Sequence, residues 1–265
     1  MLLLKMAPPY EAIFTGSNSE KNIYKNILKR GSNYLKLRPN FLNKVFKVNF
    51  RAYDDLIKKT KRQQEKYIVF LDSGFDHGDV IIQQGPHTEE NRLKYYFLLR
   101  KILIQFQKLY NKKTIICLHP KTDEKIVKKY IKDIKLIKFQ TQNYILKAQM
   151  VLFHESSAVL DAIFLKKKIV CLQSDIMGEY YNKRNKYYPT KAKMPSIRME
   201  NYEKIKKTEI EFFFKNRKKL YENFLKNFVT PNRNKFIANK KNKKNYGPRP
   251  GYEQIINIIE KNYKI

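Results

Sequence analysis

Short apolar runs alternate with longer segments of helical spacing between Tyr67 and Leu172, and this alternation constrains the fold more than any other feature. The runs "KYIVFLDSG", "KTIICLHP", "IKLIKF", "MVLF" and "KIVCL" are typical of buried β-strands. Strands that alternate with helices favour a parallel sheet with helices on both faces. The sequence therefore predicts an α/β fold, a Rossmann-like doubly wound parallel sheet.

The segments between these runs predict helices. "EENRLKYYFLLRKILIQFQKLY" is long and amphipathic, with Thr88 in the position of an N-cap. Shorter helices are predicted in "DEKIVKKYI", "NYILKAQ" and "SSAVLDAIFL", and one or two more in "EKIKKTEIEFFFKNRKKLYENFLKNF". No element is predicted in the segment after Gln173 that is rich in Tyr, Asn and Lys.

The two ends of the chain are less regular. "EAIFTGS" predicts a short strand, "NIYKNILKRG" a helix and "GYEQIINIIEKNYKI" a terminal helix, whereas "PNRNKFIANKKNKKNYGPRP" is basic and predicts a loop or tail. We expect three parts: an incomplete or abbreviated N-terminal segment over 1–65, a nucleotide-binding domain over 66–230, and a basic helical tail over 231–265.

The charge of the chain favours anionic partners. Its 265 residues include 56 Lys and Arg against 24 Asp and Glu, a net charge of +32. Nucleic acid, an anionic membrane surface and phosphorylated substrates all fit this charge. Nucleic acid is the less favoured partner, because Lys outnumbers Arg and no nucleic-acid-binding motif is present.

Several other classes of protein are disfavoured. No apolar run approaches the roughly 20 residues that span a bilayer, and "MLLLKMAPP" lacks the features of a signal peptide. We expect a cytoplasmic protein, with peripheral contact at the inner face of the plasma membrane through its charge. Cys117 and Cys171 lie in apolar runs, so each is interpreted as a small core residue, and no metal or cofactor is predicted.

Candidate site residues follow the predicted strands, because ligands bind at the carboxyl ends of the strands in doubly wound sheets. "DSGFDHGD" follows the first strand of the regular region. Asp72 or Asp76 would serve as a general base on an acceptor hydroxyl, and Gly74 would allow close approach of a ligand. The alternative is a solvated turn.

His119 and Pro120 follow the second strand. The imidazole would donate a hydrogen bond or a proton to a phosphate or a leaving-group oxygen, since histidine titrates near neutral pH. The alternative is that it caps the end of the strand.

"HESS" follows the fourth strand and opens a predicted helix. Ser156 is in the position of an N-cap, and Ser157 opens the helix. The two serines would either cap the helix or bind phosphate with its N-terminal amides. His154 and Glu155 would contact the ribose or the base of a nucleotide, or only line the turn.

The stretch from "LHP" through "AQMVLFHESSAVLDAIFLKKKIVCLQSDIMGEYYNKR" resembles the C-terminal half of GT-B-type transferases that build bacterial surface polysaccharides. A strand ends in His119-Pro120, Ser156-Ser157 follows 37 positions after His119, and a Lys-Lys-Ile-Val strand comes next. The pattern is similar to sialyltransferases, polysialyltransferases and Kdo transferases, which use CMP-linked sugars. It is also similar to CDP-glycerol glycerophosphotransferases.

The resemblance implies a nucleotide-dependent, inverting glycosyltransferase of capsule or lipopolysaccharide biosynthesis. His119, Pro120, Ser156 and Ser157 would contact the nucleotide and phosphate of a CMP- or CDP-linked donor. The acceptor would be a glycan or a glycolipid. Alternatives left open are a CDP-glycerol glycerophosphotransferase, a non-catalytic nucleotide-binding fragment, and a basic nucleic-acid-binding protein.

The chain departs from this family pattern in two places. The acidic motif of such sialyltransferases has two adjacent acids before a glycine, whereas this sequence has Asp72-Ser73-Gly74. A GT-B enzyme also has an acceptor domain of similar size ahead of its nucleotide domain. The 65 residues of segment 1–65 are therefore expected to be a remnant or an abbreviated form of that domain.

Overall fold

A computed structural model describes residues 13–15, 45–47, 66–75 and 87–228. The chain divides into two compact units, of which the larger is Thr60–Glu222. Strands β1 (Ile13–Thr15) and β2 (Val45–Lys47) belong to the other unit and pair in parallel. The strand predicted in "EAIFTGS" is therefore confirmed over its three central residues.

Between Tyr67 and Gln173 the elements follow the expected succession, and further elements come after them. The strands are β3 (Tyr67–Leu71), β4 (Thr114–Cys117), β5 (Lys135–Ile137), β6 (Ala148–Phe153), β7 (Lys168–Gln173) and β8 (Ser196–Arg198). The helices are α1 (Glu89–Tyr110), α2 (Glu124–Tyr130), α3 (Thr141–Lys147), α4 (Val159–Phe164), α5 (Gly178–Asn185), α6 (Tyr187–Ala192), α7 (Lys207–Phe214) and α8 (Arg217–Phe228). Short 3₁₀ helices lie at Asp175–Met177 and Met199–Lys204.

Six of the strands that the structure describes form one parallel sheet in the order β5-β4-β3-β6-β7-β8. The chain builds the sheet outward from β3 through β4 to β5, then returns to the other side of β3 and continues from β6 to β8. This is the doubly wound Rossmann order, and its switch point lies between β3 and β6. The predicted fold class is confirmed.

The central strands are continuous apolar runs because helices cover both faces of the sheet. Every residue of β4 is buried, as are the last four of β3. Helix α1 buries one stripe against this sheet, including Leu99, Ile102 and Phe106. The hydroxyl of Thr88 accepts from the Asn91 amide at 3.1 Å, so the predicted N-cap is confirmed.

The segment after Gln173 is more ordered than the sequence indicates. It forms α5, α6 and β8, none of which was predicted. Their polar sequences lack a clear apolar period, and β8 is only three residues long. The amphipathic stretch that follows forms two helices, α7 and α8, as predicted.

Cys117 and Cys171 are both buried and free, as expected of small core residues. The predicted boundaries at 65 and 230 stay predictions. The helix expected in "NIYKNILKRG", the basic tail and the terminal helix all lie outside the described residues. Within the described ranges, no helix combines the length and apolar character needed to cross a bilayer.

Candidate functional site

The carboxyl edge of the sheet brings together three of the predicted loops. Asp72 follows β3 directly, His154 follows β6 directly, and His119 lies two residues after β4. Because β4, β3 and β6 are neighbours in the sheet, these loops lie side by side and flank the switch point. Doubly wound folds bind ligands in the crevice at this position.

The carboxylate of Asp72 joins the loop after β3 to the loop after β4. One oxygen accepts from the Gly74 amide at 3.0 Å. The other accepts from the amide of His119 at 3.0 Å and from the hydroxyl of Thr122 at 2.6 Å. The backbone amide of Asp72 also donates to the Cys117 carbonyl at 3.0 Å. Asp72 therefore fixes the start of the His119 loop.

The turn after β3 requires a glycine. Gly74 has a φ of 74°, in the left-handed region that a side chain disfavours. The turn also receives a hydrogen bond from α5, since the hydroxyl of Tyr181 donates to the Ser73 carbonyl at 3.0 Å. Burial, together with nearby Glu155 and Asp72, raises the pKa of Tyr181 to about 12, so this hydroxyl stays protonated and keeps its donor.

His119 is half-buried, and Pro120 beside it is exposed. The Nδ1 of His119 accepts from the Lys121 amide at 3.3 Å, which leaves the ring proton of the neutral imidazole on Nε2. Its carbonyl accepts from the Thr122 amide at 2.9 Å. Asp72 and this turn therefore hold a histidine whose Nε2–H is a hydrogen-bond donor.

The loop after β5 reaches the same edge. The ammonium of Lys138 donates to the Thr122 carbonyl at 3.0 Å, which adds a positive charge beside the His119 loop. Phe139 follows with a φ of 63° and 77% of its surface exposed. An aromatic residue in the left-handed region is a backbone outlier, and such outliers cluster at functional sites.

His154 lies in the core. Its Nδ1 donates to the Leu172 carbonyl at 2.7 Å, and its ring packs edge-on against Phe70. Burial lowers the pKa of this imidazole to about 4, so it is neutral at pH 7. Its Nε2 has no hydrogen-bond partner among the described residues. Contact with a nucleotide stays a prediction for this side chain, which is fully buried here.

Glu155 is half-buried and forms an ion pair with Arg184 of α5. Burial raises the pKa of this carboxyl, and the charge of Arg184 opposes the shift. The guanidinium also donates to the Tyr180 hydroxyl at 2.7 Å and lies over that ring. Helix α5 therefore supplies a basic group next to the "HESS" turn.

The predicted cap of α4 is wrong. The helix begins at Val159, and its N-cap is Ala158, which makes no side-chain cap hydrogen bond. Ser156 and Ser157 lie in the preceding turn, where the amide of Val159 bonds back to the Ser156 carbonyl at 3.2 Å. Backbone carbonyls satisfy the first amides of the helix, so no serine hydroxyl caps them.

Asp76 lies outside the described residues. Among those that are described, no three His, Cys, Asp or Glu side chains are grouped as a metal site would require. Sequence reasoning gave no role to Thr122, Tyr181 or Arg184. The last two lie in "QSDIMGEYYNKR", which follows β7 on the ligand edge, and that position is the only sequence signal that points to them.

No model of a protein family matches the chain, and no curated protein matches it. Several solved structures are similar in fold to this chain. A putative UDP-N-acetylglucosamine 2-epimerase from Listeria monocytogenes is 12% identical with a TM-score of 0.50, over 96% of this chain and 59% of that one. The likeness supports a GT-B-like fold.

Two further solved structures are similar. UDP-GlcNAc 2-epimerase from Methanocaldococcus jannaschii, in complex with UDP-GlcNAc and UDP, is 18% identical with a TM-score of 0.46, over 94% of this chain and 61% of that one. The wall teichoic acid polymerase TagF is 13% identical with a TM-score of 0.47, over 96% and 59%. The chain spans about three fifths of each of these proteins.

Proposed function

We propose that the chain binds a nucleotide-activated donor at the carboxyl edge of its sheet and transfers the donor's sugar to a glycan or glycolipid acceptor. The observation that carries the nucleotide-binding step is the strand order, whose switch point between β3 and β6 is flanked by the Asp72 and His154 loops. The motif resemblance around His119 and Ser156 supports a CMP-linked donor of sialic acid or Kdo type.

In this proposal His119 acts on the leaving phosphate. Its Nε2–H would donate to a phosphate oxygen, and the hydroxyls of Ser156 and Ser157 would bind another. Fixed donors of this kind stabilise the charge that develops as the nucleotide leaves. Asp72 or Asp76 would be the base that activates the acceptor hydroxyl.

A domain that binds nucleotide without transferring a sugar is the second candidate. The engagement of Asp72 in three hydrogen bonds favours it, because little acceptor capacity remains on this carboxylate.

A CDP-glycerol donor is a further variant, since the same short motifs are found in glycerophosphotransferases. A contact with anionic membrane lipids would bring a glycolipid acceptor to the enzyme.

Binding is tested by calorimetric titration with CMP, CDP, UDP and a short oligonucleotide. We expect CMP or CDP to bind best and His119→Ala to weaken that binding by about tenfold, the loss of one charge-assisted hydrogen bond. His119→Asn is the matched control, because an Asn oxygen can still accept from the Lys121 amide. Equal loss in both variants assigns the effect to the missing imidazole Nε2–H.

Two outcomes count against the proposal. Binding of the oligonucleotide alone, with a steep dependence on salt, would identify a nucleic-acid-binding protein. Tight CMP binding without acceptor-dependent release of CMP from a CMP-sugar would favour the non-catalytic domain. Preferential binding of UDP would reject the cytidine donor while retaining the nucleotide site.

A further inference from the structure

A cavity of about 500 Å³ lies near the amino edge of the sheet, at the opposite ends of the strands from the candidate site. It is bounded by the starts of β3 and β5 and by α3. Its size is in the range of small-molecule sites. Most of the residues that line it carry polar side chains, among them Lys66, Tyr67, Lys135, Asn143, Tyr144 and Lys147.

Three lysines line this cavity. None of Lys66, Lys135 and Lys147 forms an ion pair with a carboxylate among the described residues, and none of the described lining residues is acidic. The Lys66 amide donates to the Lys147 carbonyl at 2.9 Å, which holds two of the lysines on one rim. Like charges around a concavity focus a positive potential into it, so an anion would relieve their repulsion.

Aromatic rings form part of the wall. The rings of Tyr67 and Tyr144 lie 5.5 Å apart at 36°, and the ammonium of Lys135 is 5.6 Å from the centre of the Tyr144 ring. Burial, with Tyr144 and Cys117 nearby, raises the pKa of Tyr67 to about 12, so its hydroxyl remains a donor. The amides of Gln140 and Asn143 add groups that both donate and accept.

We propose that this cavity binds an organic phosphate, in which lysines neutralise the phosphate and the tyrosines and amides contact an attached ring. Lysine is a compact point charge suited to phosphate. The attached ring belongs either to a sugar or to a nucleoside, and both kinds of ligand carry the phosphate that the lysines would bind. The site is independent of the proposed transfer, because it lies at the other edge of the sheet.

The test measures binding of glucose 1-phosphate, CMP, inorganic phosphate and glucose by calorimetry. His119→Ala protein is used, so that the candidate site at the carboxyl edge is impaired. We expect at least one of the two esters to bind more tightly than inorganic phosphate, and glucose not to bind. Adding Lys66→Gln and Lys135→Gln should weaken the ester about tenfold or more, as expected for two lost charge-assisted contacts. Which ester binds identifies the ring.

The matched control replaces Lys218 and Lys219, two exposed lysines of α8, by Gln, which removes the same charge elsewhere. Acetylation footprinting on the unmutated protein gives a second readout that does not depend on how the variants fold. The ester should protect Lys66, Lys135 and Lys147 but not the control pair. Equal loss of binding in both lysine variants, binding no tighter than that of inorganic phosphate, or no protection of the three lysines would overturn the proposal.

Discussion

Replacement of Asp72 by Ala should destabilise the fold strongly, because its carboxylate accepts three hydrogen bonds. The donors are the Gly74 amide at 3.0 Å, the His119 amide at 3.0 Å and the Thr122 hydroxyl at 2.6 Å. A net contribution of about 1 kcal/mol for each bond gives a loss of about 3 kcal/mol in the free energy of unfolding. For a chain of this size that corresponds to a fall in Tm of roughly 6–12 °C.

The assay is urea unfolding followed by circular dichroism. Asp123→Ala is the matched control: this carboxylate caps α2 with one bond, from the Lys125 amide at 2.8 Å, so its loss should cost about 1 kcal/mol. Asp72→Asn should fall between the two, since an amide keeps one acceptor but presents a donor to its remaining partners. A cost for Asp72→Ala no larger than that of Asp123→Ala would refute the assignment of Asp72 as the link between the two loops.

The same variants separate positioning from catalysis. If Asp72 acts by fixing the His119 loop, Asp72→Ala should weaken nucleotide binding as well as transfer. A general base instead contributes to the transfer step, so its loss would leave nucleotide affinity unchanged. Wild-type affinity for CMP in Asp72→Ala would therefore contradict the positioning role.

Three further predictions follow from buried or capping groups. The pKa of His154 is about 4 in the folded protein against an ordinary 6.5, so its contribution to the free energy of unfolding is complete above pH 6.5 and is lost as the pH falls towards 4. In urea titrations, the stability difference between wild type and His154→Gln should therefore shrink by about 3 kcal/mol over that range. A constant difference would contradict the burial of this side chain. Burial raises the pKa of both Cys117 and Cys171 to about 12, so neither should react with a thiol reagent at pH 8 until the protein is unfolded; one fast thiol in the native protein would count against this. Thr88→Ala should cost about 1 kcal/mol and Thr88→Ser much less, measured by thermal unfolding, because serine keeps the capping hydroxyl; equal losses would reject the cap.

The central strands and their helices were predictable because burial in a parallel sheet leaves a direct mark on the sequence. The runs that become β3, β4 and β7 are continuous and apolar, and Thr88 stands immediately before the amphipathic pattern of α1. The order of the strands was not predictable from these patterns. It depends on which apolar run pairs with which, and continuous apolar runs of similar composition do not encode that choice.

The position of the candidate site was predictable from the sequence, but the side-chain contacts that join its loops were not. Every predicted loop that the structure describes does follow a strand at the carboxyl edge, as the alternating pattern implied. The contact of Asp72 with Thr122 joins residues 50 positions apart, and that of Glu155 with Arg184 joins the turn after β6 to helix α5. Such pairs arise only when the sheet brings the loops together. The cap assigned to Ser156 failed because a tight backbone turn competes with a side-chain cap.

The hydrogen-bond partners of Asp72 help to distinguish two roles for this carboxylate: a general base, or a residue that positions His119. A carboxylate has about four lone-pair sites, and three of them are occupied here. A base must offer a lone pair to the acceptor hydroxyl, so at most one site remains for that purpose unless a bond breaks. Breaking the bond from the His119 amide would release the loop that carries the imidazole. Taking up a proton would also remove the negative charge that strengthens all three bonds, including the one from the His119 amide, so the geometry favours Asp72 as the residue that orients His119.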